Sequence, residues 1–155
     1  TKREDGAIEE MKAGRAEILV DDRHTGDPAA EPQTTAPNMI DVIREADGVF
    51  ASNRTASEGL LLALRKTNLA GKVKFVGFDS SEKLVLALAA GQIHGLVVQN
   101  PHKMGLLGVR AVIQHARKQP VLKRIDTGVT VATRENMNEP EVKKLLSPDL
   151  PADVR

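Results

Sequence analysis

The sequence has no cysteine, tryptophan or tyrosine, and only three phenylalanines: Phe50, Phe75 and Phe78. Without cysteine there is no disulfide, no thiolate chemistry and no cysteine-ligated zinc, although the compartment stays open. No apolar run approaches the roughly 18 residues needed to span a bilayer. The chain opens Thr1-Lys2-Arg3-Glu4-Asp5 with no apolar stretch behind it, so no signal peptide is legible, and a secreted protein would be seen here as a mature chain or a fragment. An excess of one charge sign is also missing. The net charge is +1 and the 28% of charged residues are mixed in sign, so nothing steers the chain toward nucleic acid or an anionic membrane.

The common catalytic signatures are missing as well: there is no G-x-S-x-G elbow, no phosphate loop and no G-x-G-x-x-G. His24, His94, His102 and His115 lack metal-ligand spacing. The adjacent pairs Glu9-Glu10 and Asp21-Asp22 point their side chains apart, as on a solvated surface. The expectation is no catalytic residue, no metal and no cofactor.

At 155 residues the chain is long enough for one domain with a real core, over 1–155. It is organised around Lys72-Val73-Lys74-Phe75-Val76-Gly77-Phe78-Asp79, an apolar run that ends on a carboxylate and leads into a helical pattern. That is how a buried parallel strand and its crossover helix read. In order, the pattern predicts a helix over 2–14 with Ile8 and Met11 inward, a strand over 16–20, a turn at 25–28 and an interrupted helix whose best part is 38–45. It continues with a strand over 47–53, a helix over 55–66 with Leu60, Leu61 and Leu64 inward, a strand over 72–78 and a helix over 81–90 ended by Gly91. A strand over 93–98 follows, then a helix from Pro101 to Lys118 with Val109, Val112, Ile113 and Ala116 as its apolar stripe, an extended segment over 125–133 and a tail helix over 139–146. Helices alternate with strands, which predicts an α/β fold: a parallel sheet with helices on both faces. Such domains normally open on a strand. This one opens on a helix, so it reads as lacking its first strand, and the unpaired edges left behind predict self-association.

In open α/β sheets ligands bind beyond the carboxyl ends of the strands. The predicted strands finish on Asp21-Asp22, Ser52-Asn53, Asp79-Ser80 and Gln99-Asn100. All are short polar groups that can exchange hydrogen bonds with a polyhydroxylated ligand. Asp, Asn and Ser are also the favoured helix N-caps, and a helix follows each strand, so capping is the competing role. Gln99 is the exception, because Gln caps poorly and Pro101 already starts the next helix. Phe78 has the core as its competing role.

Asp47-Gly48-Val49-Phe50-Ala51-Ser52-Asn53, Val76-Gly77-Phe78-Asp79, Gly91-Gln92-Ile93 and the run from Val98 to Gly105 stand in an order and spacing that resemble the carboxyl-terminal half of type I periplasmic binding proteins, the ribose-binding-protein-like sugar-binding components of ABC importers. The run from Lys2 to Gly6 is similar to the start of that family's second lobe. Residues 125–129 and 135–148 are similar to the tail of its importer-linked branch.

The resemblance implies a two-lobed protein with three crossing segments as a hinge and a solute held between the lobes. It implies ligand contacts at Asn53, Asp79 and Gln99, with Phe78 lining the cleft. The family's cleft arginine falls near Thr1, with Arg3 as a weak substitute. Arg54 stands where the family often has an acid or a small residue, which points toward a different or an anionic ligand. Residues 99–101 would be a hinge crossing, the helix 101–118 would pack on the amino-terminal lobe, and 119–127 would return the chain. The implied partners are a small-molecule sugar and a membrane permease, the implied location is the periplasm, and no turnover is expected. The alternative is the effector-binding core of a sugar-responsive transcription regulator, which shares the fold. The tail after Thr133 favours the importer branch.

Overall fold

The computed structural model describes residues 2–20 and 39–146. The expected turn at 25–28 and the polar pair Asp21-Asp22 lie outside the described residues. Among the described residues ten elements follow one another. They are α1 (Lys2–Ala13), α2 (Ile40–Glu45), β1 (Gly48–Phe50), α3 (Arg54–Lys66), β2 (Lys74–Phe78), α4 (Glu82–Ala89), β3 (Gly95–Val98), α5 (Pro101–Ala116), β4 (Thr130–Ala132) and α6 (Pro140–Leu146). The four strands form one sheet in the order β1-β2-β3-β4, and helices flank it.

The sheet explains where the core lies. β2 and β3 are the inner strands, and their side chains alternate into buried positions: Phe75 and Leu96 are fully enclosed. α3 lays Leu61 and Leu64 against them, with Leu60 partly buried at the margin. α4 adds Leu84, Ala87 and Leu88, and α6 closes the far side with Val142 and Leu146. Burial of this kind contributes about 1.5–3 kcal/mol per large aliphatic side chain. Polar side chains open the helices that follow β1 and β2. Asn53 opens α3 by accepting from Ala56 N, Ser81 opens α4 by accepting from Leu84 N, and Gly91, at φ +71°, follows its end.

Three expectations are corrected. Residues 16–20 form no strand, because a strand needs a ladder, and β1 pairs only with β2 among the described residues. α1 buries no side chain: Ile8 is half-buried and Met11 exposed. The sheet is mixed rather than wholly parallel, since β4 runs antiparallel to β3 with Thr130 opposite Val98.

The last correction has a geometric cause. α5 starts where β3 ends, buries no side chain and rises about 24 Å over its 16 residues. It leaves the carboxyl end of β3 without burying a residue against the sheet. The return segment comes down beside it, where Lys103 Nζ donates to Thr127 O at 3.2 Å, and so enters the sheet from the carboxyl end. The expected apolar stripe of this helix is therefore exposed, with Val109 62%, Val112 69% and Ile113 45% accessible.

Candidate functional site

Three neighbouring strand ends bring the sequence-selected side chains to one edge. β1 leads through Ser52 to Asn53, β2 through Phe78 to Asp79, and β3 to Gln99. The capping question separates them. Asn53 Oδ1 accepts from Ala56 N at 2.8 Å, so its carbonyl is spent on the helix and its amide N–H donors are what remain for a ligand. At the next turn the cap is Ser81, and at the third it is Asn100, whose Oδ1 accepts from Lys103 N at 2.8 Å. Asp79 and Gln99 cap nothing. They meet each other instead, Gln99 Nε2 donating to Asp79 Oδ1 at 2.9 Å, and both are half-buried.

The backbone at Asp79 is also unusual. Among the described residues four non-glycine positions have positive φ, and Arg15, Asn68 and Lys118 all lie just past helix ends, where the left-handed turn is an ordinary stop signal. Asp79, at φ +65°, follows a strand. Asp79 N still donates to Val97 O at 2.9 Å, so the ladder to β3 holds while the left-handed turn re-aims the carboxylate at the strand ends. A left-handed L-residue costs roughly 1–2 kcal/mol, less for Asp than for most, and such residues cluster at functional sites.

Arg3 reaches this edge from α1. Its Cζ lies 4.0 Å from the centroid of the Phe78 ring, and Nη1 donates to Ser52 O at 3.0 Å. The ring is buried, at 6% accessible, and Phe78 stands outside the main core cluster. Ser52 Oγ donates to Glu4 Oε1 at 2.7 Å, a second link between α1 and the turn that follows β1. Arg3, Ser52 and Phe78 thus form one stacked group beside the Asp79–Gln99 pair. The guanidinium has five N–H donors, of which the Ser52 carbonyl takes one. Arg54, the first residue of α3, is exposed.

Sequence reasoning missed Glu4 as a site neighbour, because a carboxylate in a first helical turn is explained by the helix dipole alone. It also passed over Ser57. The available signal there was a polar residue on the apolar face of α3, four positions past Asn53. Among the described residues no cluster of His, Asp or Glu could hold a metal ion, and no helix is long and apolar enough to cross a membrane. His94 is a structural histidine. Its Nδ1 accepts from Phe75 N at 3.2 Å, and burial, with Lys74 nearby, holds its pKa below the ordinary histidine value.

The chain belongs to the family of periplasmic binding protein domains, whose model matches residues 1–120. It is similar to the D-allose-binding periplasmic protein of Escherichia coli, with 24% identity over 120 residues, which are 77% of this chain and 39% of that protein. Among solved structures it is similar to a carbohydrate-transporter solute-binding protein from Agrobacterium radiobacter in complex with D-arabinose, with 36% identity, a TM-score of 0.66 and coverage of 76% of this chain and 42% of that one. It is also similar to an ABC-transporter solute-binding protein from Agrobacterium vitis with bound D-fucose, with 34% identity, a TM-score of 0.64 and coverage of 74% and 41%. The chain thus spans about two fifths of the length of these relatives.

Proposed function

We propose that this chain is the carboxyl-terminal, ribose-binding-protein-like lobe of a sugar-binding protein that serves an ABC importer outside the cytoplasmic membrane. The observation that carries the reading is the Asp79–Gln99 pair. Both side chains are half-buried at adjacent strand ends, neither caps a helix, and the one bond between them leaves further donors and acceptors for a ligand. A carboxylate accepts from two neighbouring hydroxyls, and an amide both donates and accepts, so the pair suits a polyol better than a flat apolar solute. Asn53 adds amide donors, and Arg3, stacked on Phe78, adds a cationic donor at the rim.

The relatives are described as binding proteins, which supports binding without turnover, delivery to a membrane permease and a place in the periplasm. In the same reading α5 is the element that packs on the amino-terminal lobe. Its exposed Val109, Val112 and Ile113 support that role.

The test is a heteronuclear NMR titration with D-allose, D-arabinose and D-fucose, read on the amides of Asn53, Asp79 and Gln99. Saturable shifts at all three residues with one of these sugars support the proposal. Shifts that avoid the three, or none with any sugar in the complete two-lobe protein, overturn it.

A further inference from the structure

Ser57 is the one polar side chain in the fully buried class among the described residues. It sits in the first turns of α3, facing β2. Its hydroxyl accepts from Phe78 N at 2.9 Å and donates to Asn53 O at 2.8 Å, while Phe78 O lies 3.4 Å away.

The reason for this bond lies in the β1–β2 ladder. Lys74 N donates to Asp47 O, and Ala51 N to Val76 O. Continued two residues at a time, that register would carry Phe78 N to the carbonyl of Ala51. β1 stops at Phe50 instead, and the chain turns away through Ser52 to cap α3. The hydroxyl of Ser57 takes the place of the missing rung. Gly77 makes room for it, since a Cβ there would stand 3.0 Å from Ser57 Oγ and 3.1 Å from Leu96 Cδ2.

We infer that Ser57 is a positioning residue for the site. One hydroxyl ties the Asn53 end of α3 to the Phe78–Asp79 end of β2. It thereby sets the separation of two groups on different elements that would have to meet the same sugar. The inference rests on the sugar-site reading for its functional consequence, and on the ladder geometry alone for the latch itself.

Hydrogen exchange of the ligand-free chain tests the latch. Ser57→Ala should speed exchange of the Phe78 and Ala56 amides about tenfold or more, with Leu64 and Leu96 changed less than about twofold, because the opening is local. Gly77→Ala, which keeps the hydroxyl but displaces it, should also speed the Phe78 amide, with Leu64 as its control because a Cβ at 77 presses on Leu96 Cδ2 as well, and at Phe78 the double variant should be no faster than either single one, because both substitutions break the same bond there. In a titration with the tightest-binding sugar of the three-member panel, Ser57→Ala should weaken binding about fivefold or more, and again the double variant should add little.

An unchanged Phe78 amide in both single variants would overturn the inference. So would uniform acceleration of all core amides, which a purely stabilising role produces, or unchanged affinity in a variant whose Phe78 amide has opened. Absence of sugar binding by the unsubstituted protein would count against the sugar reading alone, and the exchange measurement would then decide the latch without a ligand.

Discussion

Gln99 Nε2 donates to Asp79 Oδ1 across the ends of adjacent strands β3 and β2, at 2.9 Å. The bond joins two side chains that the local backbone does not require. α4 is capped by Ser81 and α5 by Asn100, so both helices start without them. Each end of the pair retains hydrogen-bonding capacity, because a carboxylate has a second oxygen and an amide a second N–H and a carbonyl.

The left-handed backbone at Asp79 separates stability from binding. Glycine adopts φ +65° without a Cβ penalty. Asp79→Gly should therefore leave the urea midpoint the same or higher, while sugar binding is lost. A loss of unfolding free energy as large as the roughly 2–5 kcal/mol typical of core truncations would show that Asp79 holds the fold together instead.

Asn53 should behave differently, because it also caps α3. Asn53→Ala removes the acceptor of Ala56 N and should cost about 1 kcal/mol of stability in addition to some affinity. Asn53→Asp keeps the cap and removes the amide donors, so it should hold stability and lose affinity. Equal stability losses in both variants, seen in urea unfolding, would contradict the division of labour between its two ends.

His94 links stability to pH. Its folded-state pKa lies below the ordinary value, mainly through burial and secondarily through Lys74. The unfolded chain titrates near 6.5, so between that value and the lower folded pKa the unfolded state binds more protons. The contribution is complete above about pH 6.5 and is lost as the pH falls through that window. Protonation would also remove the Nδ1 acceptor of Phe75 N. Urea midpoints measured from about pH 7.5 down to about pH 5.5 should fall for the wild type and stay flatter for His94→Gln. Equal slopes would rule His94 out as the source.

The exposed stripe of α5 gives a colloidal expectation. Val109, Val112 and Ile113 are 62%, 69% and 45% accessible, and contiguous apolar faces of this kind recruit another surface. Residues 1–155 by themselves should self-associate with rising concentration in light scattering, and Val109→Ser with Val112→Ser should reduce it. A monomer at all concentrations would remove the expectation.

Much of this architecture is legible in the sequence because the signals are local. The apolar run into Asp79, the leucines of α3 and Gly91 each specify structure within one or two turns. What escaped was non-local. Whether residues 16–20 become a strand depends on a ladder partner, and the direction of β4 depends on α5 leaving the sheet, which an amphipathic pattern cannot reveal. Strand-end polarity pointed to the pairs Ser52-Asn53, Asp79-Ser80 and Gln99-Asn100, and the family resemblance chose Asn53, Asp79 and Gln99 among them, but which residues were caps could be judged only once Ser81 and Asn100 were seen in that role. Ser57 escaped because its task is set by where β1 stops.

Calorimetric titration with the panel sugars of the two-lobe protein that the proposal expects, for wild type and Asp79→Ala, tests the central claim most directly. The expected result is saturable binding of one sugar by the wild type and a loss of about 2–5 kcal/mol in Asp79→Ala, roughly thirtyfold or more in affinity, because hydroxyls in a desolvated cleft would lose a charged partner. Affinity within about a factor of two of wild type in Asp79→Ala would contradict it, because truncating a residue that faces the sugar costs more than that.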